Sequence, residues 1–166
     1  MAISMYSASI PALRRGLTSL AAILAKAEEH ARTRKIDPTV LLGARLYPDM
    51  LPLIKQVHIA SDNAKGCAAR LAGREVPKYE DNETSFAELA ARIAKTIAFL
   101  DTFDPQQIDG SEERDVSLQA GGQTHEFKGL PYLTGWVLPN FYFHVATAYA
   151  ILRHNGVELA KKDFLG

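Results

Sequence analysis

Pro139-Asn140-Phe141-Tyr142-Phe143-His144-Val145-Ala146-Thr147-Ala148-Tyr149 is the stretch that decides the fold. At about 100° per residue, Val137, Asn140, Phe141, His144, Ala148 and Ile151 fall on one helical face, with His144 near its middle. A helix buries such a face against other elements. The stretch therefore predicts a core helix with two polar groups, Asn140 and His144, pointing inward. A buried histidine needs a hydrogen-bonding partner, a water or a metal. The helix is expected from Tyr132 or Leu133 to about His154, where Asn155-Gly156 stops it. Pro139 lies inside this span and its ring would meet the Gly135 carbonyl, so a kink or a restart is expected there.

The other helices follow outward from this one. Ile10, Leu13, Leu17, Leu20, Leu24 and Ala27 recur at steps of three and four, the seam of a bundle helix. Ser9 is its expected N-cap and Pro11 a first-turn residue. The charged run Lys26 to Lys35 carries this helix to its end, with His30 as a solvated surface residue. Asp37-Pro38 starts a short element over Thr39 to Leu46. A second long helix is expected from Asp49 to about Leu71, striped by Leu53, Val57, Ala60, Ala64, Ala68 and Leu71. Small residues around Gly66 and Cys67 would let a neighbouring helix approach closely. Val76 to Glu83 reads as a polar linker. Ser85-Phe86-Ala87-Glu88 is a capping box that opens a third helix, ending near Phe103. Val116 to Ala120 and Thr124 to Phe127 alternate around Gly121-Gly122, a hairpin signal. An isolated hairpin is only marginally stable, so it must lie against the helices. The apolar Phe164-Leu165 near the end is expected to dock on the domain or on a partner. The pattern predicts an all-α four-helix bundle, with a long crossover and a small β-hairpin before the last long helix, as one domain over 1–166.

Composition narrows the function classes. Nineteen basic and 19 acidic residues cancel, which leaves no electrostatic footprint for nucleic acid or an anionic membrane. With 47% hydrophobic and 23% charged residues the chain is ordinary for a globular protein. The lone Cys67 forms no internal disulfide and no cysteine-based zinc cluster. It is read as a buried, inert thiol. No apolar run reaches the roughly 18 residues of a spanning helix. The first residues lack a basic region followed by an apolar run, and the expectation is a cytoplasmic protein. There is no phosphate-binding glycine loop, no His-Glu-x-x-His and no nucleophile elbow.

Three polar positions stand out on helical faces. His58 sits on the shoulder of the second helix stripe with Asp62 at i+4. It is either a boundary histidine bonded to Asp62 or a ligand or acid/base group that Asp62 orients. Asn140 and His144, also i and i+4, are neighbours on the fourth helix and could bond each other. His125, in the hairpin, reads as a surface or half-buried residue.

The stretch Asn140-x-x-x-His144, followed by Leu152-Arg153 and Gly156, is similar to the fourth-helix signature of the DinB/YfiT-like superfamily. That signature typically reads His-x-x-x-His, then Leu-Arg and Gly. In this register His144 takes the second His position, Asn140 the first, and His58 that of the remaining His ligand. Arg45-Leu46-x-Pro48-Asp49-Met50, Arg70-Leu71-Ala72-Gly73 and Lys162-Asp163-Phe164-Leu165-Gly166 resemble a domain-of-unknown-function branch of the superfamily, over essentially the full length. The resemblance implies a four-helix bundle, often dimeric. Its catalytic members hold a divalent metal on three histidines, and some are thiol-dependent transferases or hydrolases. The corresponding metal position here is His58, Asn140 and His144, with Asp62 as outer partner or substitute ligand. An amide oxygen is a weaker ligand than imidazole for zinc or nickel. The resulting expectation is a degenerate metal site in a non-catalytic or small-molecule-binding homodimer, with no nucleic acid or membrane partner. The alternative is a divalent-metal-dependent enzyme, a thiol transferase or hydrolase using His58 and His144.

Overall fold

Helical periodicity is realised wherever an apolar stripe runs unbroken, and the computed structural model describes residues 3–166. Helix α1 spans Met5–Arg34. Its N-cap is Ser4 and not Ser9, because Ser4 and Ser7 satisfy each other's backbone N–H groups in a capping box. Ser9 is instead buried inside the helix, its hydroxyl donating to the Met5 carbonyl at 2.6 Å. Pro11 lies in the second turn, and both it and Ser7 are exposed, so the carbonyl left free by the missing N–H is on the wet side. Helix α2, Pro38–Leu42, is capped by Asp37 and ends four residues short of the expected Leu46. Helix α3, Leu53–Leu71, has Pro52 at its N-cap. Helix α4, Phe86–Leu100, has Ser85 at its N-cap, with the Glu88 carboxylate accepting from the Thr84 N–H. A short α5, Pro105–Ile108, follows Asp104.

The hairpin forms where alternation predicts it. Strands β1, Asp115–Ala120, and β2, Gln123–Lys128, pair antiparallel. Gly121 and Gly122 make the two-residue turn at φ +58° and +78°, values that demand glycine or its near equivalents. Val116 and Leu118 face inward. On β2, Phe127 and His125 lie against Trp136, with ring centroids 5.5 and 4.8 Å away.

The last long helix restarts rather than simply bending. A short α6, Gly129–Pro131, leads into a π-helical segment, Tyr132–Val137, and then α7, Leu138–His154. The Leu138 N–H reaches back five residues to the Leu133 carbonyl. Widening the helix here places Pro139 in the first turn of α7, where a missing N–H costs little. Helix α8, Lys161–Leu165, closes the chain against α1 and α7. Asp163 pairs with Lys26 at 2.8 Å and Phe164 meets Tyr149 edge-on, so this end docks on its own fold.

Helix α3 packs on α7, α4 and α1, and α1 packs on α4 and α7 as well. Leu13, Leu17 and Leu20 of α1, Val57 and Ala64 of α3, Leu89 of α4 and Phe141 of α7 are all sealed in one apolar core. Among the described residues, no helix is long and apolar enough to cross a membrane.

Packing of α7 on α1 at Phe141 depends on Gly16. A Cβ there would stand 2.5 Å from Phe141 Cε1 and 2.8 Å from Cζ, and that ring is fully enclosed. Gly16→Val is expected to destabilise the protein by about 1–3 kcal/mol through overpacking, read as a lower urea midpoint at unchanged slope.

Candidate functional site

Where α3 crosses α7, His144 is buried and bonded to α3 rather than to its own helix. Its Nδ1 lies 2.7 Å from Gln56 Oε1. The Gln56 amide nitrogen donates to the Leu51 carbonyl at 2.9 Å, which fixes Oε1 as the acceptor and His144 Nδ1–H as the donor. Burial alone holds the His144 pKa below the usual histidine range. The neutral ring thus ties α7 to α3 and, through Gln56, to the loop before α3.

Asn140 does not bond His144. Its Nδ2 donates to the Trp136 carbonyl at 2.9 Å, one turn back on its own helix. It lines a cleft of ≈ 220 Å³ between α3, α7 and the hairpin, together with Asp62, Asn63, Arg70, Tyr132 and Trp136.

His58 is in a third environment. Its carboxylate partners come from the segment before α4 and do not include Asp62. Nδ1 lies 3.3 Å from Asp81 Oδ2 and 3.4 Å from Lys55 Nζ. Nε2 lies 2.8 Å from Glu83 Oε2, a close contact without hydrogen-bond alignment. Arg92 of α4, with a side chain only 1% exposed, organises the group. Its Nη2 reaches Asp62 at 2.9 Å and Asp81 at 3.1 Å, and its Nη1 reaches Glu83 at 3.1 Å and the Glu80 carbonyl at 3.0 Å. Lys65 pairs with Asp62 at 3.1 Å and Lys55 with Asp81 at 3.0 Å. The Tyr79 ring is faced by Lys95, Lys65 and Arg92. Burial lowers the His58 pKa, assisted by Arg92 and Lys55, against the opposing pull of Asp81 and Glu83. For Asp81, burial works upward, yet the Lys55 hydrogen bond, His58 and Arg92 bring its pKa below the ordinary value.

These contacts keep the three aligned positions apart. Gln56 faces His144, and His58, two residues further, points about 200° around α3. Asp62 serves Arg92 and Lys65, not His58. A dication beside His58 would meet Arg92, Lys55 and Lys65, whose charges already match those of Asp62, Asp81 and Glu83. Among the described residues, no three His, Cys, Asp or Glu side chains gather in a metal-holding arrangement. The residues present do not fit the three-ligand centre that the resemblance implies. Cys67 is fully buried, and that burial pushes its thiol up to about 12, so it carries no thiolate chemistry near neutrality. His30 lines a wider groove of ≈ 970 Å³ along α1 and the C-terminal segment, among charged chain ends.

The residues missed from sequence are Gln56, Asn63 and Arg70 on α3, and Asp81, Glu83 and Arg92 around His58. The first three had a signal. Spaced seven apart, they put a polar group on one α3 face every two turns. The structure sets them beside His144, Asn140 and Tyr132 in antiparallel order.

Removing the organising cation strands Glu83, only 12% exposed, and weakens the hold on Asp62 and Asp81. Arg92→Met is expected to cost about 3 kcal/mol in unfolding free energy, measured by denaturant titration. Acidification tests the two histidines. Their folded pKa values lie below the usual histidine value, so as pH falls past that value the unfolded chain binds protons that the folded one does not. Stability should be full above this range and fall as pH drops through it. The urea midpoint at pH 5.5 should be lower than at pH 7.5, and His144→Gln should shrink the difference.

A family model described as "Domain of unknown function (DUF1993)" matches residues 5–165. Among solved structures, the crystal structure of a DinB family member protein from Shewanella denitrificans is 40% identical to this chain. The match covers 97% of this chain and 91% of that one, with a TM-score of 0.88. No curated protein matches the sequence. A shared fold at this identity, over nearly the whole of both chains, leaves one conclusion: the chain belongs to the DUF1993 family, within the DinB-like superfamily.

Proposed function

We propose that this protein is a non-catalytic, small-molecule-binding module, built as a single DinB-type four-helix bundle over 1–166 and working as a homodimer. In it, hydrogen bonds and ion pairs replace the metal centre. The observation that carries this reading is the separation of the three aligned positions: His144 to Gln56, Asn140 to the Trp136 carbonyl, and His58 to Asp81 and Glu83. A catalytic zinc site presents three protein ligands converging on one ion, with an open fourth position. Here both His58 nitrogens face charged protein groups, which leaves His144 Nε2 and the Asn140 amide oxygen, too few for such a centre. The cleft beside Asn140 gives the module a place for a ligand below the roughly 300 Å³ lower bound of drug-sized sites. The exposed apolar side chains of Phe143 on α7 and Leu51 in the loop before α3 support the homodimer.

The competing reading is a zinc- or nickel-dependent thiol transferase or hydrolase, using His58 and His144 with Asn140 or Asp62. Elemental analysis of untagged protein, before and after incubation with each ion, separates the two. Substoichiometric metal, unchanged in His144→Ala, is the expected result. One equivalent of zinc or nickel that is lost in His144→Ala would establish the enzyme reading instead.

A further inference from the structure

The cleft beside Asn140 contains an organised cation that pairs with no carboxylate among the described residues. Arg70, in the last turn of α3, folds back along its own helix to lie over Gly66, where an added Cβ would collide with Nη1. Its Nη1 donates to the Tyr132 hydroxyl at 3.1 Å, and the guanidinium lies 6.0 Å from that ring's centroid. Burial pushes the Tyr132 hydroxyl up to about 12, so this partner stays neutral. Arg70 makes no ion pair among the described residues. The carboxylate that shares the cleft, Asp62, is taken by Arg92 and Lys65.

The rest of the wall says what else a ligand must carry. Asn63 and Asn140 both line the cleft. Each donates its amide N–H to a carbonyl of its own helix, Ile59 and Trp136 respectively, which leaves the two amide oxygens as acceptors. Asn63 lies about one turn, near 5 Å, along α3 from the Gly66 level that the guanidinium covers. Trp136 supplies a flat apolar wall. A single guanidinium in a cleft that the Asp62 carboxylate also lines favours a monoanion over a dianion. Its fork matches the planar two-oxygen face of a carboxylate.

We infer that the cleft binds a small monocarboxylate bearing a hydroxyl or amino donor about three carbons from the carboxyl group, with Arg70 gripping the carboxylate and Asn63 and Asn140 accepting from the donor. This rests on the small-molecule reading above and gives it a chemical class.

Trp136 is the only tryptophan in the chain, so its emission reports on this cleft alone. The experiment titrates the full-length protein with 3-hydroxybutyrate, 4-hydroxybutyrate and 4-aminobutyrate, with 4-hydroxybutyramide and inorganic phosphate as comparisons. A saturable change is expected with at least one carboxylate. The amide and phosphate should bind on the order of tenfold more weakly, because each loses the paired charge-assisted contact. Arg70→Gln should weaken carboxylate binding by a similar factor. Gly66→Ala, which keeps the charge but displaces the guanidinium, should weaken it too while the thermal midpoint holds. Silence toward every carboxylate overturns the inference, as does equal binding in Arg70→Gln or equal binding of phosphate. A response to the amide that survives Arg70→Gln overturns the carboxylate and leaves the small-molecule reading standing. Silence combined with a stoichiometric metal lost in His144→Ala overturns both.

Discussion

A buried guanidinium held by three carboxylates ties α3, α4 and the segment between them together. Arg92 rises from α4, reaches Asp62 on α3, and draws Asp81 and Glu83 of the connecting segment down onto the same spot. Without a cation there, the segment from Val76 to Glu83 would have no reason to cross the mouth of His58, since it contains neither helix nor strand. A buried ion group of this kind adds little net stability relative to apolar packing. What it specifies is position. Asp62, Asp81 and Glu83 all close on Arg92, and the His58 ring lies beside two of them. The Tyr79 ring, facing Lys65, Lys95 and Arg92, fastens the same segment from its other end.

Position decides the chemistry available to His58. An imidazole ligates a metal through a free nitrogen lone pair, usually with its other nitrogen held by an outer partner. At His58 both nitrogens already face charged protein groups, a carboxylate on one side and a carboxylate with a lysine on the other. His144 donates Nδ1–H to Gln56, which fixes its tautomer and ring orientation and leaves Nε2 as the nitrogen with the lone pair. Two histidines that the resemblance would bring to one centre are thus held on opposite sides of α3 by contacts of different kinds, one ionic and one neutral.

The fold was legible because it rests on local rules. Stripes of leucine and alanine at helical spacing became α1, α3, α4 and α7, and alternation around Gly121-Gly122 became the hairpin. Boundaries were less legible where two caps competed: Ser4 with Ser7 makes a complete capping box, whereas Ser9 would have left Met5 outside the core. The site was legible only in part. His144 was recognisable as a buried group needing a partner, but that partner lies 88 residues away, and no helical spacing points to it. The same holds for His58, whose nearest i+4 acid is claimed by a cation of another helix. Gly66 illustrates the opposite error. In a run of small residues it reads as room for a neighbouring helix, and its missing Cβ instead makes room for Arg70 of its own helix.

Seen along the α3–α7 contact, the departures from a three-histidine centre form a coherent set. Gln56, Asn63 and Arg70 stand two turns apart on α3, and His144, Asn140 and Tyr132 descend α7 and the π segment beside them. Had Asn140 been a histidine, its ring would have occupied space that the shorter amide leaves to the cleft. Had α7 continued as an unbroken α-helix through Pro139, Tyr132 would sit about 100° further round the axis, away from the Arg70 guanidinium. The π turn, the asparagine and the glycine under Arg70 each act on the same ≈ 220 Å³ of space. Together they shape a polar cleft whose strongest unanswered group is a cation.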